Sequence, residues 1–412
     1  MMYDSPTQME PLFPSSRTEQ LADLAVELIR ESSALGSRLR GPTREAVISL
    51  LRQMNSYYSN LIEGHNTHPI DIERAMKREY ADEPAKRLLQ LESKAHIEVQ
   101  ELIEDQLERF PDTRICSPEF LVWIHGEFYR RMPDELRLIT DKEGREKHQI
   151  VPGERRKREV IIGRHVPPTF AAIDAFLSRF ATAFDPTPLG EVQRVIAAAA
   201  SHHRLAWIHP FLDGNGRITR LFTHAYLIRA RVDGHRLWTV SRGFARRRDE
   251  YIAALIAADA PRKSAHDGRG NLSDEGLSRF CEFFLRTALD QVTFMSGLLE
   301  LDGLENRVAA YVERRVALKE LDFAASHLLR DILNRGEVAR GEASRIMDKP
   351  ERTARRILSA LLKEGLLRSE TPKGALRIAF PAKAVGYYFP RLYPEGIEHD
   401  LDEMFAKQRM TR

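Results

Sequence analysis

The sequence predicts a mainly α-helical chain with one β-hairpin near its middle and a small C-terminal module of short helices closed by a second hairpin. Three observations predict it. Apolar residues recur at three- and four-residue spacing over most of the length, as in Leu21, Leu24, Ala25, Leu28 and Ile29. Residues 141–168 break that rhythm, with turn signals at Asp141-Lys142-Glu143-Gly144-Arg145 and Pro152-Gly153 and a short β run, Val160-Ile161-Ile162. From Ala324 the helical runs shorten and end in two apolar pairs around Pro372-Lys373-Gly374.

At 412 residues the chain is long for one compact unit, and it divides into three expected regions, 1–110, 111–302 and 303–412. Hydrophobic content of 42% and charged content of 30% describe an ordinary globular protein. A net charge of only +3 gives no overall preference for nucleic acid or membrane. Cys116 and Cys281 have no Cys or His partner at metal spacing, which suits a reducing compartment. No apolar run approaches the roughly 20 residues of a membrane span, and Met1 to Arg17 is polar rather than signal-like. These features predict a cytoplasmic protein without a membrane partner.

Residues 1–16 are expected to form an irregular arm, and Thr18 to about Leu39 a helix. Gly41-Pro42 interrupts before a second helix, about 43–64, which Gly64 ends. Glu63 falls in its last turn, where a carboxylate opposes the helix dipole. His65, Asn66, Thr67 and His68 read as a loop, with Thr67 or Asp71 starting the helix after Pro69. Helices follow from Glu83 to Glu108 and from Pro118 to Arg131. The 141–166 segment is the hairpin, and Arg155-Arg156-Lys157-Arg158 reads as a solvated face. Helices resume at Ala171 to Phe184 and Leu189 to Trp207, with His202 and His203 structural. Tyr251, Ala254, Leu255 and Ala258 extend the periodicity beyond residue 240. A long helix runs from Ser273 to about Leu301, is ended by Asp302-Gly303, and is followed by a basic helix, Glu305 to Leu318.

The rest is organised around His209-Pro210-Phe211-Leu212-Asp213-Gly214-Asn215-Gly216-Arg217-Ile218-Thr219-Arg220. Pro210 takes His209 out of the helical region, so the imidazole stands at a helix end. Ile218, Leu221, Phe222, Ala225 and Ile228 start a new helix near Gly216. Gly214-Asn215-Gly216 then lies at a helix N-terminus, where free N–H groups attract anions and small residues let a phosphate approach. Asp213 is out of place there unless a cation such as Mg²⁺ joins it. Arg217 and Arg220 share one face and oppose the dipole, so an anion should face them. Together these predict a polyphosphate site.

The stretch resembles the signature of the Fic (Fic/Doc) family, His-x-Phe-x-(Asp/Glu)-Gly-Asn-Gly-Arg-x-x-Arg, at every fixed position. The resemblance implies a Fic-type helical core with a β-hairpin flap and the transfer of AMP, with ATP and Mg²⁺, to a Ser, Thr or Tyr hydroxyl of a target protein or of the chain itself. It implies His209 as general base, Asp213 as the Mg²⁺ ligand, the Gly214-Asn215-Gly216 amides as a phosphate cradle and Arg217 and Arg220 as phosphate ligands. Ile162, Gly163, Arg164 and His165 resemble the family's flap, whose edge would hold an extended target segment. Tyr251 and Asp259 resemble positions near the nucleotide base, although Tyr251 equally suits core packing. Ser59-Asn60-Leu61-Ile62-Glu63-Gly64 resembles the family's inhibitory element, Ser/Thr-x-x-x-Glu-(Gly/Asn). By that likeness Glu63 pairs with Arg220 and keeps it from the γ-phosphate, with Ser59 in support.

Alternatives stay open. The phosphotransferase branch of the family carries lysine where Gly216 stands, which argues against it. AMP removal would use the same site, with Glu63 aligning a water. The chain would instead be a DNA-binding regulator if the site only sensed nucleotide, a role that an intact His209 opposes. The module from Ala324 resembles a winged helix-turn-helix, with Arg352, Arg355 and Arg356 on its third helix and Lys373 at the wing tip. Seven cations against three carboxylates between Glu351 and Arg377 suit a DNA backbone. That excess is modest and favours a protein partner or homodimer, with Tyr387, Tyr388, Phe389 and Tyr393 docking back on the module.

Overall fold

The computed structural model describes residues 3–39, 41–140, 147–394 and 396. The expected turn at Asp141 to Arg145 lies outside them. The fold is helical with two small sheets. Among the described residues no helix is long and apolar enough to cross a membrane.

The N-terminal residues are irregular apart from one 3-10 turn, as expected, but they pack on the fold rather than standing free. Pro6–Met9 form a 3-10 turn, Met9 is fully buried, and the Tyr3 ring meets Trp207 edge-on at 4.9 Å. The Ser15 and Ser16 amides donate to the Asp274 carboxylate at 2.8 and 2.9 Å, and Leu272 N–H donates to Glu10 O at 2.9 Å. A polar segment is ordered here because its backbone groups find partners in distant parts of the chain, which local periodicity cannot register.

Helix α1 (Thr18–Gly36) precedes α2 (Gly41–Ile62). Gly41-Pro42 opens α2 rather than interrupting before it, since proline is tolerated in a first turn whose N–H groups have no helical acceptor. Helix α3 (Pro69–Met76) is capped by His68, which accepts from Ile70 N–H, and not by Thr67 or Asp71; Asp71 lies inside the first turn, where its charge suits the dipole. Helix α4 (Pro84–Arg109) and α5 (Pro118–Arg130) follow.

Strands β1 (Leu138–Thr140) and β2 (Lys147–Gln149) pair antiparallel, Leu138 opposite Gln149. Val160-Ile161-Ile162 is not a strand: its pairing is a single bridge between Ile162 and His165, and Ile161 and Ile162 lie exposed. Three β-branched residues without a ladder partner do not make a strand.

Helix α6 (Ile173–Ala183) leads to α7 (Glu191–Ile208), which packs against α1, α6, α8 (Asn215–Arg229) and α11 (Asp274–Leu298). Ala197, Ala198, Ala199 and Ala200 are all fully buried, so α7 is enclosed all round by neighbours that approach closely over small side chains. Between α8 and α11 lie α9 (Val240–Arg246), not foreseen from the sequence, and α10 (Arg248–Asp259). His202 is structural, bonded to Thr223 Oγ1 at 2.7 Å and Tyr251 Oη at 2.8 Å.

The long helix ends at Leu298, and Asp302-Gly303 does not stop it. Those residues open α12 (Leu301–Ala317), whose N-cap Glu300 accepts from both their amides. Beyond it run α13 (Ala324–Arg335), β3 (Glu337–Val338), α14 (Ala343–Met347), α15 (Glu351–Lys363), β4 (Leu367–Arg368) and β5 (Leu376–Ile378), then α16 (Ala382–Tyr388). The sheet order is β3-β5-β4, all antiparallel. This segment docks on the N-terminal half: Tyr58 Oη donates to Leu392 O at 2.9 Å, Thr43 Oγ1 to Leu333 O at 3.2 Å, and Tyr393 meets the Tyr57 ring at 5.3 Å.

Candidate active site

Helix α7 stops at Ile208 because Pro210 offers no N–H and its ring excludes the preceding turn. His209 caps it at φ 50, ψ 60. This is the left-handed region, not the extended one that a following proline favours, and it costs about 1–3 kcal/mol that the surroundings must offset. Arg156 does so: its N–H donates to Pro210 O at 3.0 Å and its Nε to His209 O at 2.9 Å. The Arg156 side chain is buried and also donates to the carbonyls of Arg158 and Pro168. The basic run is therefore not uniformly a solvated face, since Arg156 braces the histidine's backbone. On the other side, Phe211 N–H donates to Asn215 Oδ1 and Asn215 Nδ2 donates back to Phe211 O, both at 2.9 Å. Phe211 is fully buried and stacks on His125 at 4.1 Å.

A helix C-terminus favours imidazolium, yet His209 is held neutral. Burial pushes its pKa down to about 3, aided by the nearby charges of His165 and Arg156, while the Ala206 carbonyl, bonded to the ring, and Glu63 act weakly against this.

Helix α8 begins immediately beyond the loop. Gly214 has φ 78, and a Cβ there would lie 2.7 Å from the Tyr129 hydroxyl, so only glycine fits. A Cβ on Gly216 would collide with the Glu63 carboxylate. Glu63, at the end of α2, thus sits over the N-terminus of α8, where the dipole and free amides favour an anion. Arg220 Nη2 donates to Glu63 Oε1 at 2.5 Å and to Ser59 O at 2.9 Å, and its Nε to Ser59 Oγ at 2.9 Å. Burial alone would raise the Glu63 carboxyl, but Arg220 and Arg217 outweigh it and hold the group below the ordinary carboxylate range. Arg220 is buried, whereas the Glu63 side chain is 32% exposed, so the pair lies at the cleft's edge.

Arg217 has a partner that sequence reasoning missed. It donates to Glu92 of α4, a buried carboxylate that also accepts from His65 Nδ1 at 2.6 Å, and more weakly to Asp213 Oδ2 at 3.3 Å. Burial pushes the Arg217 guanidinium down to about 10. Gln90, Glu92, Ser93 and His96 interrupt the buried face of α4 with polar atoms, and that interruption is the one signal the sequence offered. Asp213 Oδ2 accepts from Tyr129 Oη at 2.6 Å. Its carboxylate is part exposed beside the α8 N-terminus. Among the described residues no group of three His, Cys, Asp or Glu is placed to hold a metal. A single carboxylate suits a Mg²⁺ that takes its remaining ligands from phosphate and water.

The other expected residues divide. Ile162 and His165 close a two-residue turn around Gly163 (φ 60) and Arg164, with N···O distances of 3.0 and 2.9 Å. His165 ties the turn to Trp207 O at 2.8 Å and to Asp259 at 3.4 Å. Asp259 also meets His203 at 3.1 Å, and burial, which would raise its carboxyl, is outweighed by the His203 contact. Tyr251 is buried and stacks on Phe244 at 4.4 Å; its hydroxyl is engaged by His202, and burial raises it to about 12. It packs in the core rather than lining an open cleft.

Residues 115–227 match the model of the Fic/DOC family. The chain is similar to the protein adenylyltransferase Fic of Nematostella vectensis, 30% identical over 179 residues that make up 42% of this chain and 37% of that protein. It is also similar to the protein adenylyltransferase Fic of Drosophila erecta, 37% identical over 81 residues, 20% of this chain and 16% of that one. The matches thus span well under half of each relative. A crystal structure of a Fic family protein from Desulfovibrio desulfuricans G20 aligns with TM-score 0.48 and 16% identity, covering 86% of this chain and 96% of that one.

Proposed function

From the premise that residues 115–227 are a Fic/DOC family domain, we propose that this chain transfers AMP from ATP to a hydroxyl of a target protein and that Glu63 holds the site closed. The observation that carries the reading is the seat of the Glu63 carboxylate, against Gly216 and Arg220 at the start of α8 and near a neutral histidine. An anion site filled by the protein's own carboxylate is one that a phosphate fills when the carboxylate leaves.

In this reading His209 takes the proton of the target hydroxyl, whose oxygen bonds to the α-phosphorus as the bond to the β-phosphate bridge breaks and pyrophosphate leaves. The amides of Gly214, Asn215 and Gly216 and the guanidinium groups of Arg217 and Arg220 hold the phosphate charge. Asp213 would hold Mg²⁺, which supplies positive charge against the phosphates when bound. Tyr129, Asn215 and Arg156 keep these groups in place. The turn at 162–165, with Ile161 and Ile162 exposed, is the surface against which a target segment lies.

Incubation with labelled ATP and Mg²⁺ tests the proposal. Glu63→Gly is expected to raise AMP incorporation at least about tenfold, the effect of roughly 1.4 kcal/mol, and His209→Ala in that background to abolish it. Unchanged incorporation in Glu63→Gly protein that binds ATP would remove the inhibitory role, and none at all would remove AMP transfer. A second reading, AMP removal by the same site, is favoured by Glu63 being ionised yet part exposed, as alignment of a water requires. It would show as AMP released from a modified protein by the wild type and not by Glu63→Gly. We read α13 to β5 as a winged helix-turn-helix on the support of its element order and strand pairing.

A further inference from the structure

We propose that the C-terminal module binds the backbone of double-stranded DNA through the outer face of α15 and the β4–β5 hairpin. The inference stands on charge and shape. Residues 324–394 carry fourteen Lys and Arg against seven Asp and Glu, a net +7, whereas the whole chain is +3, so the remainder carries a net −4. Positive charge is therefore collected on this one module, a separation that the whole-chain value conceals.

Within the module the charge is sorted by face. Helix α15 buries Ala354, Ile357, Leu358 and Leu361 against the small core and exposes Glu351, Arg352, Arg355, Arg356, Ser359 and Lys363 along one stripe. Four of those six are cations. Arg355 meets Glu351 at 2.7 Å with both side chains largely exposed to solvent, where such a pair is worth little against a phosphate. Arg352, Arg356, Lys363 and Lys373 make no ion pair among the described residues, so no described carboxylate is paired with them. Lys373 stands at the tip of the β4–β5 hairpin. Between that tip and α15 lies an open groove of about 540 Å³, lined by Arg340, Ser344, Glu351, Arg355, Ser359 and Lys373. A rigid amphipathic helix with a cationic outer stripe, flanked by a cationic hairpin, matches a duplex with two phosphate strands on either side of a groove.

A symmetric protein contact fits less well. A copy of the same stripe would set cation against cation, and the stripe offers no exposed large apolar side chain to bury.

The test uses the full chain and a fluorescent 30-base-pair duplex of mixed sequence, with anisotropy followed from 50 to 300 mM salt. Binding should weaken with a log–log slope of about −0.9 for each phosphate engaged. The triple variant Arg352→Ala, Arg355→Ala, Arg356→Ala should flatten that slope by about two to three, and Lys373→Ala by about one. All four residues are exposed, so melting temperature and AMP incorporation should match the wild type, which separates failure here from failure of the proposed transfer. No binding at 50 mM salt would overturn the proposal, as would binding that the triple variant leaves unchanged. Sedimentation showing a dimer that the triple variant dissociates, without duplex binding, would assign the face to a second copy instead and equally overturn it.

Discussion

At the scale of single residues, two kinds of buried group bear on stability against pH and on the proposed nucleotide site. His96 and His125 are fully buried, and burial pushes both down to about 3. Each is therefore neutral in the folded chain and charged in the unfolded one below its ordinary value near 6.5. Their contribution is favourable above pH 6.5 and is lost as pH falls from 6.5 toward 3, at about 1.4 kcal/mol per pH unit per group. Melting temperature should drop steadily from pH 7 to pH 5. His96 has no hydrogen-bond partner on either ring nitrogen among the described residues, so His96→Leu should flatten that slope while leaving stability at pH 7.5 near the wild-type value. An unchanged slope would mean that His96 titrates normally. Arg217 and Glu92 behave differently, since each is buried and each is the other's main partner. Glu92→Ala should cost up to about 3 kcal/mol by leaving the buried guanidinium with only its weaker contact to Asp213. Because a phosphate can replace the lost carboxylate, ATP should raise the melting temperature of Glu92→Ala by more than it raises the wild type's, as differential scanning fluorimetry would show.

At the scale of elements, the site is a meeting of helix ends. Helix α7 delivers His209, α8 delivers an anion-seeking N-terminus, and the end of α2 delivers the carboxylate that answers it. Ser59 and Glu63 lie one turn apart on α2, and both bond Arg220. Ser59→Ala removes one of the guanidinium's three bonds and keeps the ion pair. It should therefore raise AMP incorporation by a factor smaller than Glu63→Gly does; a rise as large would place the restraint in the serine. Gly214 is the hinge between α7 and α8, at φ 78 and against Tyr129. Gly214→Ala should lower stability by about 1–2 kcal/mol from the left-handed backbone alone, with loss of ATP-induced stabilisation where the loop shifts. The signature residues from His209 to Arg220 were legible in order because a loop between two helices is a local feature. Glu63 was legible because a charge that opposes its own helix dipole needs a partner. The hairpin was misplaced by a β run that has no strand beside it, and α3 was capped by His68 because cap choice depends on where the preceding loop is held.

At the scale of the whole molecule, α2 connects the candidate site to the C-terminal segment. Its inner end carries Ser59 and Glu63, while Tyr57 and Tyr58 pack against Tyr393 and Tyr58 Oη bonds Leu392 O. The segment beyond α16 thus holds the helix that holds Arg220. Tyr393→Ala should loosen the end of α2, seen as faster amide exchange in residues 57–64 with α7 unaffected, and should raise AMP incorporation in a protein that retains Glu63. Exchange that rises without any gain in incorporation would uncouple the module from the site. From the sequence alone came the helical class, the central loop with its base, carboxylate, glycines and arginines, and the opposing carboxylate on an early helix, because periodicity and a contiguous motif are properties of neighbours along the chain. Only the tertiary structure decided that Glu92 holds Arg217, that Tyr129 holds Asp213 and that Arg156 braces His209. Those partners stand 125, 84 and 53 residues apart, and no local pattern specifies which buried polar atom will meet which until the helices have packed.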